Sequence, residues 1–201
     1  MGYRIGGMFR YQCIRRNRRG KHYQSHPGPY YWLLSLAEVV LKIVTKVGNL
    51  LHVPAGHIVH GCNAQGVMGS GVALGVKQTW PGAFHSYVQH YQTHGLVLGV
   101  VYPYVQDENL VIWNAITQDG FGGDVRNTSY DAIQTCFEQI NWHIKEGGVE
   151  NAAFTQPAEI HIPMIGAARG GGNWEIIREI IEQTVEYPVT LWLPDSTVTT
   201  R

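Results

Sequence analysis

The N-terminal part of the sequence lacks one sign of charge entirely. No acidic residue occurs before Glu38, although seven of the fifteen Lys and Arg residues lie there. Residues 38–201 hold the other eight basic residues and all fifteen acidic ones, so a net charge of zero combines a basic segment with an acidic one. This distribution excludes a uniformly basic nucleic-acid-binding protein, and the two parts require separate interpretation.

Cysteine and long apolar runs are also scarce. Three widely spaced cysteines, Cys13, Cys62 and Cys136, match neither a disulfide framework nor a zinc ribbon, and they indicate a reducing compartment. The apolar run near residues 30–44 is interrupted by Glu38 and Lys42 and falls short of the ~20 residues that a membrane span requires. We therefore expect a cytoplasmic protein without membrane association. With 44% hydrophobic residues, the chain is expected to fold around a substantial core.

Residues 1–37 are predicted to be a basic, poorly ordered extension, and residues 38–201 a single domain. The extension contains RRNRR at 15–19 and shows no apolar periodicity. Three interpretations remain open: a tail upstream of the true start, a basic arm that contacts nucleic acid, and a signal peptide with an unusually long basic region. Nucleic acid is expected as a partner only through such an arm.

Residues 38–201 alternate between strand-like and helix-like patterns. Strands are predicted at 41–47, 57–62, 96–102, 110–116, 159–165 and 189–193. One helix is predicted at 69–94, with a break at Pro81. A second is predicted to begin after a cap at Ser129, with apolar residues at helical spacing from Tyr130 to Ile144, and a third at 174–185. This alternation predicts an α/β fold, in which helices flank both faces of a sheet.

Two segments, 57–76 and 160–177, share the order strand, glycine-rich loop and helix start. Glycine loops leave backbone N–H groups open to a phosphate oxygen, and the positive end of the following helix dipole adds to the attraction. Both loops are expected beyond the carboxyl ends of strands, where ligands of α/β proteins commonly bind. The pair suits the two phosphates of a nucleotide diphosphate; the alternative is a pair of tight turns that only permit close packing.

The familiar phosphate-binding motifs are missing. No Gly-x-x-x-x-Gly-Lys-Ser/Thr sequence is present. Gly69 and Gly71 are followed by Leu74 where a dinucleotide fingerprint needs a small residue, and no acidic residue occurs between Glu38 and Asp107 to bind a ribose. A hydride-transferring enzyme is therefore disfavoured, and no cofactor is expected.

Three motifs together resemble the macro domains, which are ADP-ribose-binding modules. They are Asn63 followed by Gly69-Ser70-Gly71-Val72, the turn Gly48-Asn49-Leu50, and the loop at residues 165–174. The resemblance covers about residues 41–193 and implies a three-layer fold with a mixed sheet. It also implies ADP-ribose or ADP-ribose-1''-phosphate as the ligand.

The tetrad at residues 60–63 and the Phe-Gly-Gly loop at 121–123 are similar to the stand-alone ADP-ribose-1''-phosphate phosphatases. A related branch removes ADP-ribose from acidic side chains or DNA with a Lys after the first loop and an Asp in the second. Lys77 is in the right region, but residues 165–174 contain no Asp. Phosphatase activity is therefore the main hypothesis; an ADP-ribosyl hydrolase and a binding module without activity are the alternatives.

For a phosphatase, His60 is predicted to transfer protons because its ordinary pKa lies near neutrality, with His57 facing the other side of its strand. Asp124, or Asp119, would position the attacking water, and Arg169 would meet the terminal phosphate. The remaining predicted contacts are Asn49 to adenine, Asn63 to the distal ribose, Phe121 to a ring face, and backbone N–H groups of Gly69, Ser70, Gly71, Val72, Gly166, Ala167, Ala168, Arg169, Gly170 and Gly171. Ala168 replaces a Gly usual in this family.

No metal site is expected. His90 and His94 have the i, i+4 spacing of a helical zinc site, with His85 nearby, but no Glu accompanies them and Pro81 interrupts their segment.

Overall fold

The computed structural model describes residues 43–122, 126–147 and 158–195. Its strands are β1 (Ile43–Val47), β2 (Gly56–Asn63), β3 (Val101–Val105), β4 (Leu110–Gln118), β5 (Ile160–Ile162) and β6 (Val189–Leu193). Its α-helices are α1 (Gly71–Thr79), α2 (Pro81–His94), α3 (Tyr130–Glu146) and α4 (Trp174–Thr184), and a 3-10 helix spans Leu50–His52. The strands form one mixed sheet in the order β1-β6-β5-β2-β4-β3, in which only β3 runs antiparallel to its neighbour.

Both faces of the sheet are covered, because strand residues alternate in direction and both sets are apolar. On one face Val59 packs in a core with Phe137 of α3 and Ile181 of α4. On the other face Ile58 packs with Val76 of α1. The predicted three-layer α/β architecture is confirmed.

Local sequence signals set the helix ends. The Ser129 hydroxyl accepts a hydrogen bond from the Ala132 N–H (3.2 Å), and the Asn173 side chain accepts one from the Glu175 N–H (2.9 Å). Pro81 is the first residue of α2, a position at which a backbone N–H has no acceptor within the helix, so its absence costs no helical hydrogen bond. The predicted cap at Ser129 and the predicted break at Pro81 are confirmed.

Two predicted strands are wrong in their extent. Residues 96–100 form a turn instead, in which Gly99 has φ +83° and donates its N–H to the carbonyl of Ile116 (2.9 Å), so β3 begins only at Val101. The strand predicted at 159–165 is limited to β5, because Pro163 has no N–H to continue the ladder. Apolar composition alone did not reveal either boundary.

The predicted extension, residues 1–37, lies outside the described residues. In the described ranges no helix is both long enough and apolar enough to cross a membrane.

Candidate functional site

The first loop begins at the end of β2, and the amide of Asn63 organises it. Asn63 Oδ1 accepts hydrogen bonds from the N–H of Gln65 (2.9 Å) and the hydroxyl of Tyr87 (2.9 Å). Its Nδ2 donates to the carbonyl of Val67 (2.6 Å). The residue predicted to bind the distal ribose therefore shapes the loop through its own amide.

The loop leads into the N-terminus of α1, whose first N–H groups are open. Among the described residues, the Ser70 side chain makes no capping hydrogen bond and the first turn of α1 contains no acidic residue. Gly71 starts the helix at φ +58°, a conformation that glycine adopts without strain. Uncapped N–H groups at the positive end of a helix dipole attract an anion.

The second loop, residues 163–173, folds against Thr128, which precedes α3. The Thr128 hydroxyl donates to the carbonyl of Gly166 (2.9 Å), and the N–H groups of Asn127 and Thr128 donate to the carbonyl of Gly170 (2.9 and 3.1 Å). These bonds occupy carbonyl groups of the loop. The N–H groups of residues 168–170 have no hydrogen-bond acceptor within the described part of the chain, so they are available to a ligand.

Gly170 allows this close approach. A Cβ at Gly170 would collide with the Thr128 side chain and would lie 2.6 Å from the carbonyl oxygen of Gly166. The glycine is therefore required by packing as well as by any ligand that the loop holds.

The two loops enclose a cleft of about 660 Å³ at the carboxyl ends of β2, β4 and β5, a size typical of small-molecule sites. Four of its lining side chains are apolar and more than a third exposed: Val67, Val72, Phe121 and Met164. Among the charged residues that the structure describes, Arg126 and Arg169 line the cleft and no acidic residue does. The cleft is thus suited to an anionic ligand that carries rings.

Most of the predicted ligand-binding residues come together here. Those that line the cleft are Asn63, Gly69, Ser70, Gly71, Val72, Phe121, Gly166, Ala168, Arg169, Gly170 and Gly171. Their individual contacts with a ligand stay predictions.

His60 is not at the cleft. It is fully buried, and it faces the α2 side of the sheet, opposite to His57, whose Nδ1 accepts a hydrogen bond from Trp113 Nε1 (3.1 Å). A direct proton-transfer role requires contact with the substrate, which this position does not allow. Burial also lowers the pKa of His60 to about 4, so the ring is neutral at physiological pH.

The hydrogen bonds of His60 give it a structural role instead. Asn114 Nδ2 donates to the carbonyl of Ala83 (3.1 Å), so Asn114 Oδ1 is the acceptor for His60 Nε2–H (2.9 Å). His60 Nδ1 then faces the Cys62 thiol at 3.7 Å. Cys62 lines the cleft, and burial raises the pKa of its thiol. This chain orients the wall of the cleft around a neutral thiol.

Two further predicted residues are absent from the cleft lining and make other contacts, so their contacts with a ligand stay predictions. Asn49 does not line the cleft; its side chain caps the 3-10 helix by accepting the N–H of Leu51 (3.0 Å). Ala167, predicted to offer its backbone N–H to a phosphate, donates that N–H to the carbonyl of Met164 (3.3 Å), and its side chain packs against the apolar core. Asp124, the predicted catalytic carboxylate, lies outside the described residues.

Lys77, the residue considered for a lysine-dependent mechanism, also lies outside the cleft lining. Its Nζ is 4.1 Å from the centre of the Phe84 ring. That contact stabilises the junction of α1 and α2.

Arg126, Thr128 and Gln118 are site residues that the sequence did not reveal. Arg126 and Thr128 belong to the segment RNTSY at 126–130, immediately before α3, and Gln118 ends β4. Their position between a buried strand and a helix cap could have indicated a site segment, because the two glycine-rich loops also lie between a strand and a helix. Because RNTSY contains no glycine, a search for glycine-rich loops did not identify this segment.

The three histidines considered for a metal are not gathered into one site. The His90 ring lies 4.4 Å from the Tyr102 ring and 6.5 Å from the His94 ring. Within the described ranges, no group of three or more His, Cys, Asp or Glu residues is arranged to hold a metal ion.

Comparison with known proteins finds relatives of similar sequence and solved structures of similar fold. No family model matches the chain. The DNA ADP-ribosyl glycohydrolase of Thermus aquaticus is 26% identical over 142 residues, which are 69% of this chain and 36% of that protein. An ADP-ribose 1''-phosphate phosphatase of Neosartorya fischeri is 40% identical over 60 residues, 29% of this chain and 30% of that protein. The matched regions thus span about a third of the length of each of these two relatives.

A solved macrodomain protein from Streptomyces coelicolor is similar over nearly its whole length. It shares 25% sequence identity and a TM-score of 0.60, covering 75% of this chain and 98% of that one. The mixed sheet with helices on both faces and the two loops at its carboxyl edge agree with this likeness. The resemblance to macro domains expected from the sequence motifs is confirmed by this likeness in fold and sequence.

Proposed function

We propose that the cleft binds ADP-ribose and that the protein hydrolyses ADP-ribose-1''-phosphate to ADP-ribose and phosphate. The observation that carries the proposal is the pair of opposed loops with open backbone N–H groups on one cleft. A diphosphate lying between them would receive hydrogen bonds from the start of α1 and from residues 168–170. The names of the two curated relatives support the same ligand class.

Hydrolysis of a phosphate monoester requires an attacking water, stabilisation of the phosphoryl oxygens and a proton for the leaving sugar oxygen. Arg126 and Arg169 supply positive charge at the cleft. Asp124 stands in the sequence between Gly122 and Arg126, which both line the cleft, so it is the first candidate to position the water. With His60 buried, Asp124 is the predicted catalytic residue that the proposal retains.

The second candidate is removal of ADP-ribose from nucleic acid or protein. It is favoured by the longer alignment with the Thermus aquaticus glycohydrolase. A lysine-dependent version is disfavoured because Lys77 lies against Phe84 and because the second loop has Gly170 and no Asp.

Purified protein should be tested for ADP-ribose binding by calorimetry and for phosphate release from ADP-ribose-1''-phosphate. Asp124→Asn should reduce phosphate release about 100-fold, the effect of losing a general base, while ADP-ribose affinity changes little. Asp119, the alternative water-positioning residue, does not line the cleft. Asp119→Asn, at the other end of the segment DGFGGD, should therefore leave the rate nearly unchanged, and a loss here instead would move the role from Asp124 to Asp119.

The outcomes separate the candidates. Tight ADP-ribose binding without turnover of any substrate would identify a binding module and refute the phosphatase. Turnover of an ADP-ribosylated oligonucleotide without phosphate release would select the second candidate. Phosphate release that is insensitive to Asp124→Asn would remove Asp124 from the mechanism.

A further inference from the structure

The two cations of the cleft are held differently. Arg169 is exposed in the second loop and forms no ion pair or ring contact with the described residues. The guanidinium carbon of Arg126 lies 4.4 Å from the centre of the Tyr130 ring. This cation–π contact restrains the guanidinium group before any ligand arrives, and a restrained planar fork suits a phosphate group.

The ring beneath Arg126 is itself fixed. The Tyr130 hydroxyl accepts a hydrogen bond from the Asn173 N–H (3.0 Å), so the first residue of α3 is tied to the cap of α4. Hydrogen bonds from Asn173 and from Arg126 lower the pKa of Tyr130. Arg126 therefore rests on a ring that two helices hold in place, whereas Arg169 depends on a loop alone.

Arg126 also belongs to one particular end of the cleft. The carbonyl of its neighbour Asn127 accepts the N–H of Asp119 (3.3 Å), the residue that follows β4, which places this segment beside the end of β4. Gln118, at the end of β4, lines the cleft as well and donates through Nε2 to the carbonyl of Gly120 (2.7 Å). The β4 end of the cleft thus combines an amide and a cation.

The β5 end is different in character. Its lining residues are Pro163, Met164 and Ile165, and Met164 is 39% exposed. A flat and weakly charged purine fits this apolar end better than a phosphate does. With the diphosphate between the loops, the distal ribose and any group attached to it then extend toward β4.

We propose that Arg126 determines specificity for a phosphate on the distal ribose, and that it binds the terminal phosphate of ADP-ribose-1''-phosphate. This inference rests on the proposed ADP-ribose ligand. It assigns the terminal phosphate to Arg126 and leaves Arg169 as a general contributor of positive charge.

The test compares affinities for ADP-ribose and for a phosphonate analogue of ADP-ribose-1''-phosphate, in which CH₂ replaces the ester oxygen so that no turnover occurs. The parent should bind the analogue more tightly than ADP-ribose. Arg126→Ala should weaken analogue binding roughly 10- to 100-fold, as expected for a charged hydrogen-bond pair, with at most about a threefold change for ADP-ribose. Arg126→Lys should recover only part of the loss, since Lys lacks the planar fork.

Arg169→Ala is the matched control and should weaken both ligands slightly and equally. Equal losses for both ligands in Arg126→Ala, or a selective loss in Arg169→Ala, would overturn the inference while leaving ADP-ribose binding intact. An ADP-ribosylated oligonucleotide that depends on Arg126 more than the analogue does would assign the residue to a nucleic-acid phosphate and also overturn it. If the parent binds no ADP-ribose, the proposed function itself fails before any variant is compared.

Discussion

A carboxylate introduced into the first loop tests the proposal that the cleft binds a phosphate group. Gly69 lines the cleft, and a Cβ added there meets only the Val67 side chain, at an ordinary 3.6 Å. Its backbone is not in the left-handed region, so a larger residue is tolerated without backbone strain. Gly69→Glu adds a negative charge beside the open N-terminus of α1, and Gly69→Gln adds the same volume without the charge.

The expected difference follows from Coulomb's law. A Glu carboxylate in this loop would lie roughly 7 Å from a phosphate held at the helix start, which at an effective dielectric constant near 20 costs about 2 kcal/mol. That energy corresponds to about 30-fold in affinity, reduced to about 10-fold by salt screening at an exposed loop. Gly69→Gln should change affinity by no more than about threefold.

Calorimetry with ADP-ribose at low and at physiological salt measures both variants. Gly69→Glu should bind ADP-ribose at least about 10-fold more weakly than Gly69→Gln does. The difference in affinity between the two variants should decrease as the salt concentration increases. Equal affinities of the two variants would refute the reasoning, because they would mean that no phosphate lies near the first loop.

Three other changes test the fold and the mechanism. Because burial lowers the pKa of His60 to about 4, the unfolded chain binds protons more readily, and the free energy of unfolding should fall as pH decreases from about 6.5 toward 4, by up to roughly 1.4 kcal/mol per pH unit from this group. In urea unfolding, His60→Gln should make the free energy of unfolding depend less on pH in this range. His52→Gln, at an exposed position, should leave that dependence unchanged. Gly170→Ala should lower the free energy of unfolding by about 1–3 kcal/mol because its Cβ collides with the Thr128 side chain and lies 2.6 Å from the Gly166 carbonyl oxygen; Thr128→Ala should relieve part of this cost in the double mutant, and no relief at all would contradict the collision with Thr128. Lys77→Met should leave phosphate release, and any turnover of an ADP-ribosylated oligonucleotide, within about threefold of the parent; a loss of 100-fold or more in that turnover would restore a lysine-dependent mechanism.

The charge at the cleft differs from the charge of the domain as a whole. The domain carries more acidic than basic residues, yet the described lining of the cleft contains two arginines and no carboxylate. Binding of an anion therefore depends on local groups, namely backbone N–H donors, helix ends and these two side chains, because the bulk charge opposes it.

The layered fold and the positions of both glycine loops could be predicted from the sequence. Alternating apolar patterns, the cap at Ser129 and the break at Pro81 are local signals, and each acts within a few residues of its own position. Strand extent was less predictable. It depends on which neighbour supplies the hydrogen bonds, as the turn at Gly99 shows.

The sequence by itself determined which two loops line the cleft, since glycine-rich turns after a strand leave backbone N–H groups open to approach. The tertiary structure alone decided which side chains reach the cleft. His60 and Cys62 lie on the same face of β2, yet Cys62 lines the cleft while His60 is buried against Asn114. Arg126 comes to the cleft from a segment without glycine because its neighbours bond to Gly170, more than 40 positions away in the sequence. The burial of a side chain and its contacts with distant segments exist only once the chain has folded.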